Sequence, residues 1–185
     1  MCIKFIPLTQ DDVNYSNVID LYKEAFTTVR RVPSWLLRYK MRKGKPGFSV
    51  LYEHDTWIGL LYVTEHKDIV FVHFFAIAQC SRSLGYGSKV IDAMKAKYVD
   101  KRIVLNIEEL EEKQKNYQQR IKRKAFYVKN GFSTSGYVVK EPQERLEILI
   151  LGGDISKQEI EALYKNFFSG LLGFLYRPAI IKIAL

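Results

Sequence analysis

The sequence predicts an α/β (α+β) fold built on a mixed, largely antiparallel sheet, and three observations predict it. The apolar spacing changes along the chain, from helical near the start, to β-rich runs in the middle, to alternating helices and strands after that. Short turn signals separate the middle runs, as hairpins require. One run, Ile69–Ala78, is apolar at both parities, the pattern of a strand covered on both faces.

Residues 2–6 form a short first strand. From Asp11 to Phe26, Val13, Val18, Leu21, Tyr22, Ala25 and Phe26 recur at helical spacing. Pro33 is placed to open a second helix through Trp35, Leu36, Leu37 and Tyr39. Lys43-Gly-Lys-Pro-Gly47 is a turn. Strands are expected at Phe48–Glu53, Trp57–Glu65 and Ile69–Ala78, divided by turns at Asp55-Thr56 and Lys67-Asp68. A helix over Gly87–Tyr98 carries Val90, Ile91, Met94 and Tyr98 as its buried stripe. Arg102–Ile107 is a strand, and Asn116–Asn130 a helix that Gly131 closes with a left-handed cap. Strands at Ser133–Lys140 and Arg145–Leu151 follow. A last helix, Ile155–Phe168, starts at Ser156 with Glu159 three residues on.

The 185 residues, without repeats or low-complexity stretches, fit one domain spanning 1–185. A net charge of +9 favours anionic partners without choosing among them. Cys2 and Cys80 imply no disulfide framework and have no metal-ligand spacing, so no metal is expected and a reducing, cytoplasmic setting is. The start of the chain is too short and alternating for a signal peptide, and no run has the length of a membrane span.

The most informative segment is Ala76-Ile-Ala-Gln-Cys-Ser-Arg-Ser-Leu-Gly-Tyr-Gly-Ser88. A buried strand runs into a loop with Arg82, Gly85 and Gly87, and a helix begins. Backbone N–H groups at such a helix start attract anions, glycines allow close approach, and Arg82 adds a charged donor. An ordinary strand-to-helix turn is the plainer reading of a lone Gly-x-Gly. A dinucleotide fingerprint fails because Val90 stands at its third glycine, and no P-loop run occurs.

Arg82-x-x-Gly85-x-Gly87 resembles the Gln/Arg-x-x-Gly-x-Gly/Ala motif of the GNAT N-acetyltransferase superfamily. Tyr127-x-x-x-Gly131-Phe132 resembles that family's second signature, in the right order along the chain. The resemblance implies a twisted mixed sheet with helices on both faces and acetyl-CoA as cosubstrate. It implies that Arg82, Ser83, Leu84, Gly85, Tyr86, Gly87 and Ser88 cradle the CoA pyrophosphate. The strand backbone near Ile77 would pair with the pantetheine arm, and Tyr127 would protonate the departing thiolate. One departure is that Arg120 stands near the place of an asparagine common in the family, so Arg120 and Arg123 are expected to hold a CoA phosphate instead.

Direct transfer needs a neutral amine, which a base can help to form, often through water, although some members of the family use no protein base. His73, a strongly polar residue within an apolar strand, is one candidate, at a position similar to one where a member of the family carries histidine. A histidine satisfied by a backbone neighbour is the plainer reading. Glu108 is the other, although it opens the acidic run Glu108-Glu-Leu-Glu-Glu112, which also reads as a solvated turn. Arg30, Arg31 and Trp35 would face the acceptor or simply be surface residues. The apolar tail 167–185 either closes the sheet or forms a homodimer contact. Between Lys113 and Lys140 no acidic residue occurs. The basic helix in that stretch is therefore a solvated face, the docking face of a non-catalytic CoA-binding module, or a nucleic-acid patch, the last argued against by the scarcity of interleaved aromatics.

Overall fold

The computed structural model describes residues 3–9, 12–26, 48–142, 144–167 and 179–183. Among these are eight strands and four α-helices. In chain order they are β1 (Ile3–Pro7), α1 (Tyr15–Ala25), β2 (Phe48–Glu53), β3 (Thr56–His66), β4 (Ile69–Ile77), α2 (Tyr86–Lys97), β5 (Arg102–Glu108), α3 (Tyr117–Lys129), β6 (Ser133–Lys140), β7 (Arg145–Leu151), α4 (Lys157–Phe167) and β8 (Ala179–Lys182). The expected helix at Pro33, the turn at Lys43–Gly47, the acceptor candidates Arg30, Arg31 and Trp35, Cys2, and most of the apolar tail lie outside the described residues.

The strands follow the sheet order β1-β2-β3-β4-β5-β7-β6-β8. The β1·β2, β2·β3, β5·β7, β6·β7 and β6·β8 ladders are antiparallel. Between β4 and β5 the chain passes through α2. The chain divides into two compact units, Met1–Thr64 with Val72–Val99, and Glu65–Phe71 with Asp100–Leu185.

In the first unit, α1 buries Val18, Leu21 and Tyr22. Tyr22 meets Phe74 edge-on at 4.9 Å, and Phe26 and Phe48 complete the cluster around it. Such pairs add about 0.5–1.5 kcal/mol each beyond their burial, which explains part of the high aromatic content. The turn after β2 falls on His54-Asp55, one residue earlier than expected, because Glu53 pairs directly with Thr56. His54 takes the positive φ of 53° that this tight hairpin needs. The buried stripe of α2 is Val90, Ile91 and Met94, as its spacing predicts.

In the second unit, Ile160, Leu163 and Tyr164 of α4 pack with Phe71, Val104, Ile148 and Ile150. Ser156 and Glu159 form the reciprocal cap expected at the start of that helix. Ser156 N–H donates to Glu159 Oε2 at 2.8 Å, and Glu159 N–H donates to Ser156 Oγ at 3.3 Å. Residues 179–182 of the tail pair with β6, so this part extends the sheet.

Candidate active site

The functional residues are built separately within the two units. In the first, β4 ends where Ala78 N–H donates to the Ile58 carbonyl at 2.9 Å. A single 3-10 turn, Gln79–Ser81, then lifts the chain off the sheet. Ser83 at φ 62° and Gly85 at φ 81° turn it into α2. Gly85 is the helix N-cap, and a Cβ there would meet nothing within 4 Å, so backbone conformation rather than space favours glycine. Among the described residues no side chain caps this helix, and its first turn carries no acid. The N–H groups of residues 83 to 88 find no acceptor among the described residues, and the ladder starts only with Lys89 N–H to the Gly85 carbonyl at 3.2 Å. Unsatisfied donors at the positive end of a helix dipole form a seat for an anion.

Arg82, expected to reach a phosphate, makes two protein contacts here. Its Nε donates to the Ile77 carbonyl at 3.0 Å and its Nη2 to Glu24 Oε1 at 2.8 Å. Both side chains of that ion pair are about half exposed (45% and 51%), so the pair is weak and a phosphate can compete for the guanidinium. One turn into α2, Lys89 donates to Glu53 Oε1 at 2.9 Å, and that bond, with one from Tyr86, holds the Glu53 carboxyl below its usual range. The Glu53 hydrogen bond in turn raises the Tyr86 phenol. A groove of about 560 Å³ runs beside this loop, with Asp20, Glu24, Trp57, Gln79 and Cys80 in its lining.

His73 sits half-buried on β4, with Nε2 2.7 Å from Thr64 Oγ1 on β3. One of its partners is thus a hydroxyl side chain. The neighbouring Tyr62 ring lies 5.3 Å away, and burial pushes its phenol up to about 12.

In the second unit the Tyr-x-x-x-Gly-Phe motif proves to be a helix stop. Phe132 N–H donates to the Tyr127 carbonyl at 3.1 Å and Gly131 N–H to the Val128 carbonyl at 2.9 Å, the two bonds of a Schellman cap. Gly131 takes φ 93°. The Phe132 ring closes edge-on against the Tyr127 ring at 5.5 Å, so the cap packs the tyrosine as it ends the helix. Tyr127 is the buried residue of α3.

Glu108 is buried at the end of β5. Its Oε1 accepts from Asn116 at 3.3 Å, and its Oε2 is ion-paired with Arg123. Arg120 donates to Asn116 Oδ1 at 2.9 Å and to the Glu109 carbonyl at 2.8 Å. Lys124 reaches both oxygens of the buried Glu147, at 2.9 and 2.8 Å. Arg123 and Lys124, on the basic side of α3, are therefore ion-paired rather than simply solvated, while Val128, on the apolar stripe, is 52% exposed. The reason is that β5 and β7 each bury a carboxylate, and a buried charge needs a partner more than an alanine or valine needs cover. Thr64, Glu24 and Glu53 were not visible as site neighbours in the sequence. Only Thr64 left a signal, since counting back from the Lys67-Asp68 turn brings it near His73.

No family model matches the chain, and no curated protein matches it. Solved structures do. One is described as an acetyltransferase of the GNAT family from Bacteroides thetaiotaomicron, 20% identical, covering 92% of this chain and 98% of its own at a TM-score of 0.72. Ard1 from Thermoplasma volcanium is 15% identical over 81% of this chain and 97% of its own, with a TM-score of 0.59. A GNAT family acetyltransferase from Elizabethkingia anophelis, solved with acetyl-CoA bound, is 12% identical over 82% of this chain and 98% of its own, with a TM-score of 0.54. At these identities the likeness is one of fold, and the fold of this chain is that of the GNAT acetyltransferases.

Proposed function

We propose that the chain is an N-acetyltransferase that moves an acetyl group from acetyl-CoA to a primary amine of a small molecule or protein. One observation carries the reading: the N–H groups of residues 83 to 88 at the start of α2, for which no acceptor stands among the described residues, a donor set that fits a pyrophosphate. The likeness in fold to an acetyltransferase solved with acetyl-CoA supports the same cosubstrate. In this reading Arg82 exchanges Glu24 for a phosphate oxygen, and the β4 backbone near Ile77 takes the pantetheine arm.

The reaction is a direct displacement. The neutral amine attacks the thioester carbonyl carbon, the C–N bond forms, the C–S bond breaks, and the thiolate leaves and takes a proton. Tyr127 supplies that proton, since an ordinary phenol (pKa about 10) and an ordinary thiol (about 8.5) are close enough to exchange it. His73 removes the proton from the acceptor ammonium. Glu108 has both oxygens engaged, so we assign it to holding Asn116 and Arg123 at α3 rather than to proton transfer. The same pairing leaves Arg123 less suited than Arg82 to a CoA phosphate, and it weighs against the non-catalytic module that would dock through a basic helix. An exposed free thiol at Cys80 suits a reducing compartment, in keeping with a cytoplasmic location.

Calorimetric titration with acetyl-CoA tests the cosubstrate, with Gly85→Val as the control that blocks the loop. Binding by the wild type and its loss in the variant is the expected result, followed by an amine screen for released CoA thiol. A folded wild-type protein that does not bind acetyl-CoA overturns the proposal.

A further inference from the structure

Gly59 lies in the interior of β3, where glycine weakens a strand unless another backbone comes close. Here one does. A Cβ on residue 59 would fall far inside contact distance of the Ala76 carbonyl oxygen, 3.1 Å from Ile77 Cα and 3.2 Å from the Ala76 carbonyl carbon. The obstacle is backbone, so no side-chain rotation relieves it. In a regular ladder, carbonyls lie in the sheet and point at the neighbouring strand, while Cβ atoms stand out of it. A carbonyl oxygen in the place of a Cβ shows that the Ala76–Ile77 peptide is turned out of the ladder. The peptide is trans, so its N–H, that of Ile77, points the opposite way, away from β3. Two further bonds fix the next peptide, Ile77–Ala78. Ala78 N–H is tied to the Ile58 carbonyl, and the Ile77 carbonyl accepts from Arg82 Nε. On the other side of the glycine, Trp57 Nε1 donates to the Gly59 carbonyl at 3.0 Å and holds β3 in place.

We propose that Gly59 is a positioning residue for the cosubstrate: its missing Cβ lets the Ala76–Ile77 peptide turn outward and present the Ile77 N–H to an amide carbonyl of the pantetheine arm. This rests on the reading of the chain as an acetyl-CoA enzyme. Gly59 itself touches no ligand. Arg82 couples the two halves of the cosubstrate, because the guanidinium that meets the phosphates also holds the Ile77 carbonyl.

The test separates the arm from the phosphates. Acetyl-CoA and 3′-phospho-ADP, which is CoA without its pantetheine arm, are titrated into the wild type and into Gly59→Ala. The expected result is a roughly tenfold loss of acetyl-CoA affinity in the variant, the worth of one well-placed hydrogen bond, with 3′-phospho-ADP binding unchanged. Equal losses for both ligands mean a general disturbance of the fold and overturn the proposal, and so does unchanged binding of both. Should Gly59→Ala fail to fold, the amide resonance of Ile77 in the wild type decides. It is expected to shift with acetyl-CoA and not with 3′-phospho-ADP, and the same response to both overturns the assignment. A wild type that binds neither ligand instead removes the acetyltransferase reading at the first step, and this proposal with it.

Discussion

Replacing Gly131 with alanine isolates what the helix stop at the end of α3 contributes. The residue sits at φ 93°, and a side chain there carries the left-handed penalty of about 1–2 kcal/mol. Space adds nothing to that cost, since the new Cβ would meet only Leu151 Cδ1, at an ordinary contact of 3.5 Å. For a chain of 185 residues the loss corresponds to a fall in Tm of about 2–8 °C, read by circular dichroism together with the urea midpoint. Asparagine tolerates the left-handed region best among the other residues, so Gly131→Asn is expected to recover at least half of the loss despite its larger side chain. The two variants also separate stability from chemistry. If the cap positions Tyr127, kcat for acetyl transfer falls in Gly131→Ala at a temperature where the variant is fully folded, and recovers in Gly131→Asn. An alanine variant as stable as wild type refutes the argument. An asparagine variant worse than alanine also refutes it, by showing that volume and not backbone conformation sets the cost.

Three other perturbations test the remaining structure. Lys124→Met strands the buried carboxylate of Glu147 and is expected to cost about 3 kcal/mol in urea unfolding, whereas Lys124→Met with Glu147→Leu recovers most of it. Arg102 donates to Asp68 and Glu159 and holds the Glu159 carboxyl down at about 2, with Asp68 also lowered. Because these values are depressed on folding, the stabilisation is complete above the unfolded carboxyl range and is lost as pH falls from about 4.5 towards 2. Glu159→Gln should flatten that acid limb of the stability curve by about 1 kcal/mol, after allowance for solvent screening. Tyr127→Phe should lower kcat at least about 100-fold while leaving acetyl-CoA affinity within error, as measured by thiol release and calorimetry.

Local devices were legible in the sequence and tertiary charge pairing was not. The ends of β2, β6 and β7 follow directly from where β-branched and aromatic runs meet turn residues. The Ser156–Glu159 cap and the left-handed Gly131 were readable for the same reason, since each is decided within a few residues. The helix expected from Asp11 starts at Tyr15, because the Asp12 carboxylate accepts from Asn14 N–H and holds those residues in a turn. The packed side of α3 misled the apolar spacing. Nothing near residue 120 announces that Glu108 and Glu147 will be buried opposite it, so the basic residues read as a solvated face or as one that meets a partner or a phosphate. Arg82 is a similar case: its motif gives a phosphate ligand, while its contact with Glu24 crosses 58 positions of sequence.

These contrasts bear on why two short motifs pointed to the fold at such low identity. Arg82-x-x-Gly85-x-Gly87 describes a backbone path, a strand end, a left-handed residue and a helix start whose first N–H groups meet no acceptor among the described residues. Tyr127-x-x-x-Gly131-Phe132 describes a second path, a helix ended by a left-handed residue whose closing hydrogen bond starts at the phenylalanine and ends on the tyrosine. In each, one glycine (Gly85, Gly131) serves a dihedral angle, and one side chain, Arg82 or Tyr127, is left to be read as chemistry. A motif of this kind tolerates wide divergence in its surroundings because the energy that holds it is local. The base has no such protection. His73 owes its setting to Thr64 across the β-hairpin and to the ring of Tyr62, and any of these can change without disturbing the backbone. The assignment of the base therefore depends on tertiary geometry far more than that of the acid does. A Thr64→Val substitution, which removes the hydroxyl and keeps the shape, is the change that would move the pH profile of a His73-dependent reaction while leaving the fold intact.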